Sequence, residues 1–116
     1  MRKPFKKNIE TVPLEDAHGG SGSRRLLLSK DDAISQHLHA MTKGYLSPGG
    51  VWDWHQHEGV DEYFITLQGS GIIEFRDGTK IPYGAQDMVY IPANTEHRIE
   101  NTSKEGGEFY FVRLDA

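Results

Sequence analysis

Residues 49–69 read GGVWDWHQHEGVDEYFITLQG. In an extended strand, residues i and i+2 project from one face, so His55 and His57 can both point into a barrel while Gln56 points out. Glu58-Gly59-Val60-Asp61 reads as a turn, after which the chain re-enters a strand at Glu62 and sets a carboxylate beside the imidazoles. Two imidazoles on one face form half a metal site. A fourth ligand has to come from a distant strand, and PANTEHRIEN at 92–101 offers His97.

The chain supplies its own control for this reading. His37-Leu38-His39 repeats the local pattern, but Gly44 stands where an acid would be needed, and no glycine follows at the offset that Gly69 has from His57. Context, not the pair of histidines, singles out the second cluster. His37, His39 and Met41 alternate with Leu38, Ala40 and Thr42, and the histidines are expected on a surface or dimer-interface face. Trp52 and Trp54 share a face, which is opposite His55 if the strand is regular.

Outward from this segment, short runs of branched and aromatic residues are punctuated by glycine, proline and aspartate. The pattern predicts strands over 24–29, 36–46, 52–57, 62–67, 71–76, 87–91, 96–101 and 108–114. Asp77-Gly78 is the strongest turn signal, because a tight hairpin needs positive φ. No ten-residue stretch keeps a 3.6-residue apolar period free of breakers, so helix is expected to be scarce. Many short strands at this spacing indicate an all-β sandwich or small barrel. At 116 residues the chain has the size of one domain, able to bury roughly two thirds of its unfolded surface. Residues 1–17 read as an N-terminal arm and 18–116 as a single barrel domain.

These residues carry a resemblance to the cupin superfamily, small double-stranded β-helix (jelly-roll) barrels of the RmlC-like kind. Gly49, His55, His57, Glu62 and Gly69 match every position of the family's first motif. Pro92, His97 and Asn101 match the second, in which Asn94 replaces the middle glycine and Gln86 stands where a glycine before Asp87 is usual. The resemblance covers 18–114. It implies that His55, His57, Glu62 and His97 ligate one divalent transition metal ion, Fe, Mn, Ni, Cu or Zn, and that the protein is a homodimer.

Three neutral imidazoles and one carboxylate would leave a divalent ion with a net charge near +1, which favours an anionic or chelating oxygen ligand. Six-coordinate Fe(II), Mn(II) or Ni(II) would keep two positions open, whereas tetrahedral zinc could close the site. The first expectation is therefore a metal-dependent enzyme (dioxygenase before lyase, decarboxylase or isomerase) on a small anionic or oxygen-rich metabolite. The alternative is a non-catalytic module that binds or senses a small ligand.

Composition sets the remaining limits. There is no cysteine, which excludes thiolate centres, disulfides and thiol nucleophiles. No apolar run exceeds four residues, as in Phe109 to Val112, so no membrane partner is expected and a cytoplasmic protein is the default. The formal charge is −4, with Arg2, Lys3, Lys6 and Lys7 confined to the start, so the body is acidic and unsuited to nucleic acid. AHGGSGSRR at 17–25 lacks the lysine and helix of a phosphate loop. A role for His18 or Arg24 at the mouth of a pocket stays open there.

Overall fold

The computed structural model describes residues 3–17, 22–32 and 34–116. Its strands are β1 (Leu14–Ala17), β2 (Gly22–Ser29), β3 (Leu38–Leu46), β4 (Val51–His55) and β5 (Val60–Gln68), followed by β6 (Gly71–Phe75), β7 (Lys80–Tyr83), β8 (Met88–Ile91), β9 (His97–Asn101) and β10 (Gly107–Asp115). Among the described residues the only helical turns are 3-10 turns at Ile9–Thr11 and Lys30–Asp32. No helix is long and apolar enough to cross a membrane.

The strands form two antiparallel sheets, one in the order β1-β2-β3-β10-β5-β8 and the other in the order β4-β9-β6-β7. Strict alternation explains how they close on each other. Ala40, Thr42, Gly44 and Leu46 turn inward from β3, Val60, Glu62, Phe64 and Thr66 from β5, and Phe109 and Phe111 from β10. Trp52, Ile73 and Ile99 meet them from the smaller sheet. Phe64 stacks on Phe109 with ring centroids 4.8 Å apart, and Trp52 lies edge-on to Phe109 and Phe111. Each fully buried side chain of this size contributes about 1.5–3 kcal/mol.

Two strands escape the sequence pattern, for different reasons. β7, KIPY, contains Pro82, which cannot donate to a ladder and is tolerated because β7 is the edge of its sheet. β1, LEDA, is short, acidic and mostly exposed, so it carries no alternation to read. Its pairing is held by register with β2 and by Glu15, which accepts from Arg24 Nε at 2.9 Å. The segment 18–21, with His18, lies outside the described residues.

The second motif's departures from glycine are accommodated by unusual backbone. Asn94 holds φ 61° and Gln86 holds φ 77°, the left-handed region that glycine would enter freely. At the 76–79 turn only Gly78 has positive φ, 92°, with its N–H donated to Phe75 O at 3.0 Å. That is a type I turn closed by one left-handed glycine.

Candidate metal centre

One end of the barrel brings four of the sequence's candidates together. His55 on β4 pairs directly with His97 on β9, and Glu62 on β5 pairs directly with Arg113 on β10, so the two sheets offer facing pairs. His57 comes from the β4–β5 connection. Asn94 pins that connection from both sides, its N–H donating to His57 O at 3.0 Å and its Oδ1 accepting from Gly59 N at 3.0 Å. The asparagine that replaces a motif glycine thus supplies an acceptor that glycine lacks.

The imidazoles of His55, His57 and His97 present ligand nitrogens that all lie within 4.8 Å of one another. Two of the rings are oriented by the backbone. His55 Nδ1 donates to Asp53 O at 2.6 Å and His97 Nδ1 to Thr95 O at 2.8 Å, which leaves the lone pair on Nε2 in each. Glu62 is 1% exposed. Its Oε2 lies 3.3 Å from His57 Nε2 and its Oε1 3.6 Å from His97 Nε2, within electrostatic reach but not aligned as hydrogen bonds. His57 Nε2, His97 Nε2 and Glu62 Oε1 are accordingly buried without a hydrogen-bond partner. Three imidazoles grouped this closely, with buried nitrogens lacking a hydrogen-bond partner and the Glu62 carboxylate beside them, are what a divalent ion would satisfy, and imidazole and carboxylate are the donor types such ions take. The residues present therefore fit a metal.

Arg113 was not among the sequence candidates, and it alters the electrostatics. Its Nε donates to Glu62 Oε2 at 2.6 Å, and its side chain is only 12% exposed. Burial alone would raise the Glu62 carboxyl, but the imidazoles of His57 and His97 and the Arg113 charge hold it well below the usual carboxylate range. Glu62 is thus an anion in the folded protein. The signal was present in β10: Phe109, Phe111 and Arg113 share one parity, so a strand that buries the first two turns the arginine inward as well.

A cavity of about 270 Å³ adjoins the cluster, lined by Arg24, Thr42, Trp52, His55 and Arg113 among others. Its volume lies below the usual range for drug-sized ligands, so the guest it suits is small. Trp52 lines it together with His55, against the expectation of opposite faces. The β4–β9 register shifts between Trp52 and His55, and the extra residue of this bulge turns both inward. Trp54 is half-buried beneath the Arg76 guanidinium, 3.9 Å from its ring centroid. His37 and His39 are exposed, with Ala40 and Thr42 turned inward, as expected. Among the described residues no tyrosine is part of the cavity lining.

Comparison with known proteins places this site in context. A family profile described as a cupin domain matches residues 43–113. An oxalate-binding protein of Thermotoga maritima is 32% identical over 111 residues, covering 91% of this chain and 89% of that protein. The uncharacterized protein YdbB of Bacillus subtilis is 43% identical over 49 residues, 42% of this chain and 43% of that protein. A crystal structure described as a predicted oxalate decarboxylase from Thermotoga maritima superposes with a TM-score of 0.85 at 26% identity, covering 97% of this chain and all of that one.

Proposed function

The chain belongs to the cupin family, and from that premise we propose that it binds one divalent transition metal ion and, at that ion, a short carboxylate anion of which oxalate is the first candidate. The observation that carries this reading is the grouping of buried, unsatisfied Nε2 and carboxylate atoms in a cluster whose His55 borders a small cavity lined by two arginines. His55, His57 and His97 would hold the metal, with Glu62 as the fourth ligand through Oε1, the oxygen that Arg113 leaves uncommitted. The ion would supply a Lewis-acid anchor for an oxygen ligand.

The protein's own groups complete the site. Arg113 and Arg24 line the cavity with positive charge, Trp52, Ile99 and Phe111 wall it with apolar surface, and Thr42 adds a hydroxyl. A guanidinium in such surroundings suits a planar carboxylate through its fork of donors. Among the described residues the lining contains one carboxyl, Asp16, exposed at the mouth, and no lysine or tyrosine. This lining favours capture of the anion over acid–base turnover, so the binding module is the reading we adopt. The homodimer belongs to the same proposal, with the outer face of the larger sheet as its seat, where Tyr63 and Tyr90 lie 5.4 Å apart and Met88 and Tyr90 are exposed.

Calorimetric titration of oxalate into metal-loaded and chelator-treated protein tests the assignment. Binding that requires metal supports it, and equal binding without metal refutes it. Parallel assays for oxygen uptake and carbon dioxide release separate capture from chemistry: turnover in either would replace the binding module with the dioxygenase or decarboxylase expected from sequence.

A further inference from the structure

Arg113 is a mostly buried cation whose hydrogen bonding is largely unspent. A guanidinium carries five N–H donors in a fixed fork. Here the Nε–H is given to Glu62, and among the described residues the terminal amino groups meet no protein acceptor. The side chain lines the cavity beside His55 and Trp52 and faces Glu62 across the β5–β10 ladder. Donors of a buried cation that open on a cavity call for an anion. The same charge stands next to the three-imidazole cluster, where it opposes any second cation.

We infer that Arg113 couples the two ligands, so that metal and dicarboxylate bind as a pair instead of independently. This rests on the metal-and-carboxylate reading above and adds to it a residue and a thermodynamic consequence. Metal entering alone brings a divalent charge beside a guanidinium that has few compensating partners. An anion that reaches both the metal and the free donors of Arg113 relieves that repulsion. By linkage, whatever the anion does for metal affinity the metal does for anion affinity. A monocarboxylate has to share one charge and two oxygens between both cations, whereas a short dicarboxylate gives each a carboxylate of its own. Arg113 thereby selects short dianions over acetate-like ligands, and it keeps the site poorly loaded until its anion is present.

The test uses the full chain with Mn(II) as the metal, because free Mn(II) is counted directly by its paramagnetic resonance. Mn(II) affinity is measured with and without a fixed excess of oxalate, and with acetate, for wild type, Arg113→Gln, Arg113→Lys and Arg76→Gln. Free Mn(II) is corrected identically for its oxalate complex in each titration. In wild type, oxalate is expected to tighten Mn(II) binding within the range of roughly 5- to 150-fold found for linked sites, and acetate to do so by less than about threefold. Arg113→Gln removes the charge that opposes the metal, so it is expected to bind Mn(II) alone more tightly than wild type, by about tenfold, and to lose most of the oxalate enhancement. Arg113→Lys keeps the charge without the fork, so its Mn(II) affinity should stay near wild type while the oxalate enhancement falls. That variant carries the test should Arg113→Gln fail to fold by circular dichroism. Arg76→Gln removes an equal charge at an exposed position and is expected to match wild type.

Wild-type Mn(II) binding with an oxalate enhancement that survives in both Arg113 variants would overturn this inference alone. So would weaker Mn(II) binding by a folded Arg113→Gln, which would reduce Arg113 to an orienting partner of Glu62. A wild-type protein that takes up no Mn(II), Fe(II), Ni(II), Cu(II) or Zn(II) would remove the metal reading and this inference with it.

Discussion

Replacing Glu62 with glutamine in chelator-treated protein isolates what the buried ion pair contributes. Glu62 is 1% exposed, Arg113 is 12% exposed, and they meet at 2.6 Å. Breaking a buried pair by removing one charge costs roughly 3–5 kcal/mol, because the survivor is left desolvated. Glutamine keeps the volume and an oxygen able to accept from Arg113 Nε, which places the expectation at the low end, about 3 kcal/mol at pH 7. For a domain whose whole stability is of order 5–15 kcal/mol, that is a large fraction. Urea unfolding should show the midpoint falling by between about 1 and 3 M. The pH dependence has a definite sign. The folded carboxyl lies below its ordinary value of 4.5, so its contribution is fully present above that value and is lost as the pH falls through the depressed folded value. Glutamine contributes none of this at any pH, so the gap between the two proteins is widest near neutrality and narrows in acid. Glu15→Gln breaks an exposed pair with Arg24, at 50% and 41% exposure, and should change stability by less than about 1 kcal/mol. A gap for Glu62→Gln no larger than that of Glu15→Gln, or one that grows as the pH is lowered, would refute the assignment of Glu62 as a buried anion held by Arg113.

Further substitutions separate the site from its surroundings. His97→Ala removes a buried Nε2 from the cluster and should weaken metal binding by at least about a hundredfold, whereas His39→Ala, exposed beside Asp115, should leave it unchanged; equal losses in a metal titration would sink the ligand assignment. Gln86→Gly should stabilise the protein, since a left-handed non-glycine residue costs about 1–2 kcal/mol and glycine's extra chain entropy returns only part of that; a thermal midpoint that does not rise by at least about 2 °C would count against strain at this turn. Saturating metal at about 100 times its dissociation constant should stabilise wild type by about 2.7 kcal/mol and His97→Ala by much less, read from the same urea curves.

The fold was legible because burial here has a period of two. In β3, β5 and β10 the inward residues can be picked out by parity alone, and the motif that holds His55, His57 and Glu62 sits in the same frame. The reading fails where that period is interrupted or absent. At the bulge between Trp52 and His55 one extra residue reverses the parity, and a strand taken as regular sends Trp52 to the wrong face. β1 and β7 are edge strands with exposed or proline-bearing sequences, so no alternation marks them. Arg113 is the instructive case, because parity does place it inward, behind Phe109 and Phe111, on an otherwise apolar face. A charged residue in a buried register is overlooked if each strand is judged by its apolar members alone. It becomes visible when every inward position is asked what neutralises it. Glu62 has the same parity on the neighbouring strand, and each inward charge is the other's explanation. Asking that question first would have moved the reading from a four-ligand metal site alone to a metal site with a built-in counter-cation, and it is that counter-cation which makes an anion the expected second guest.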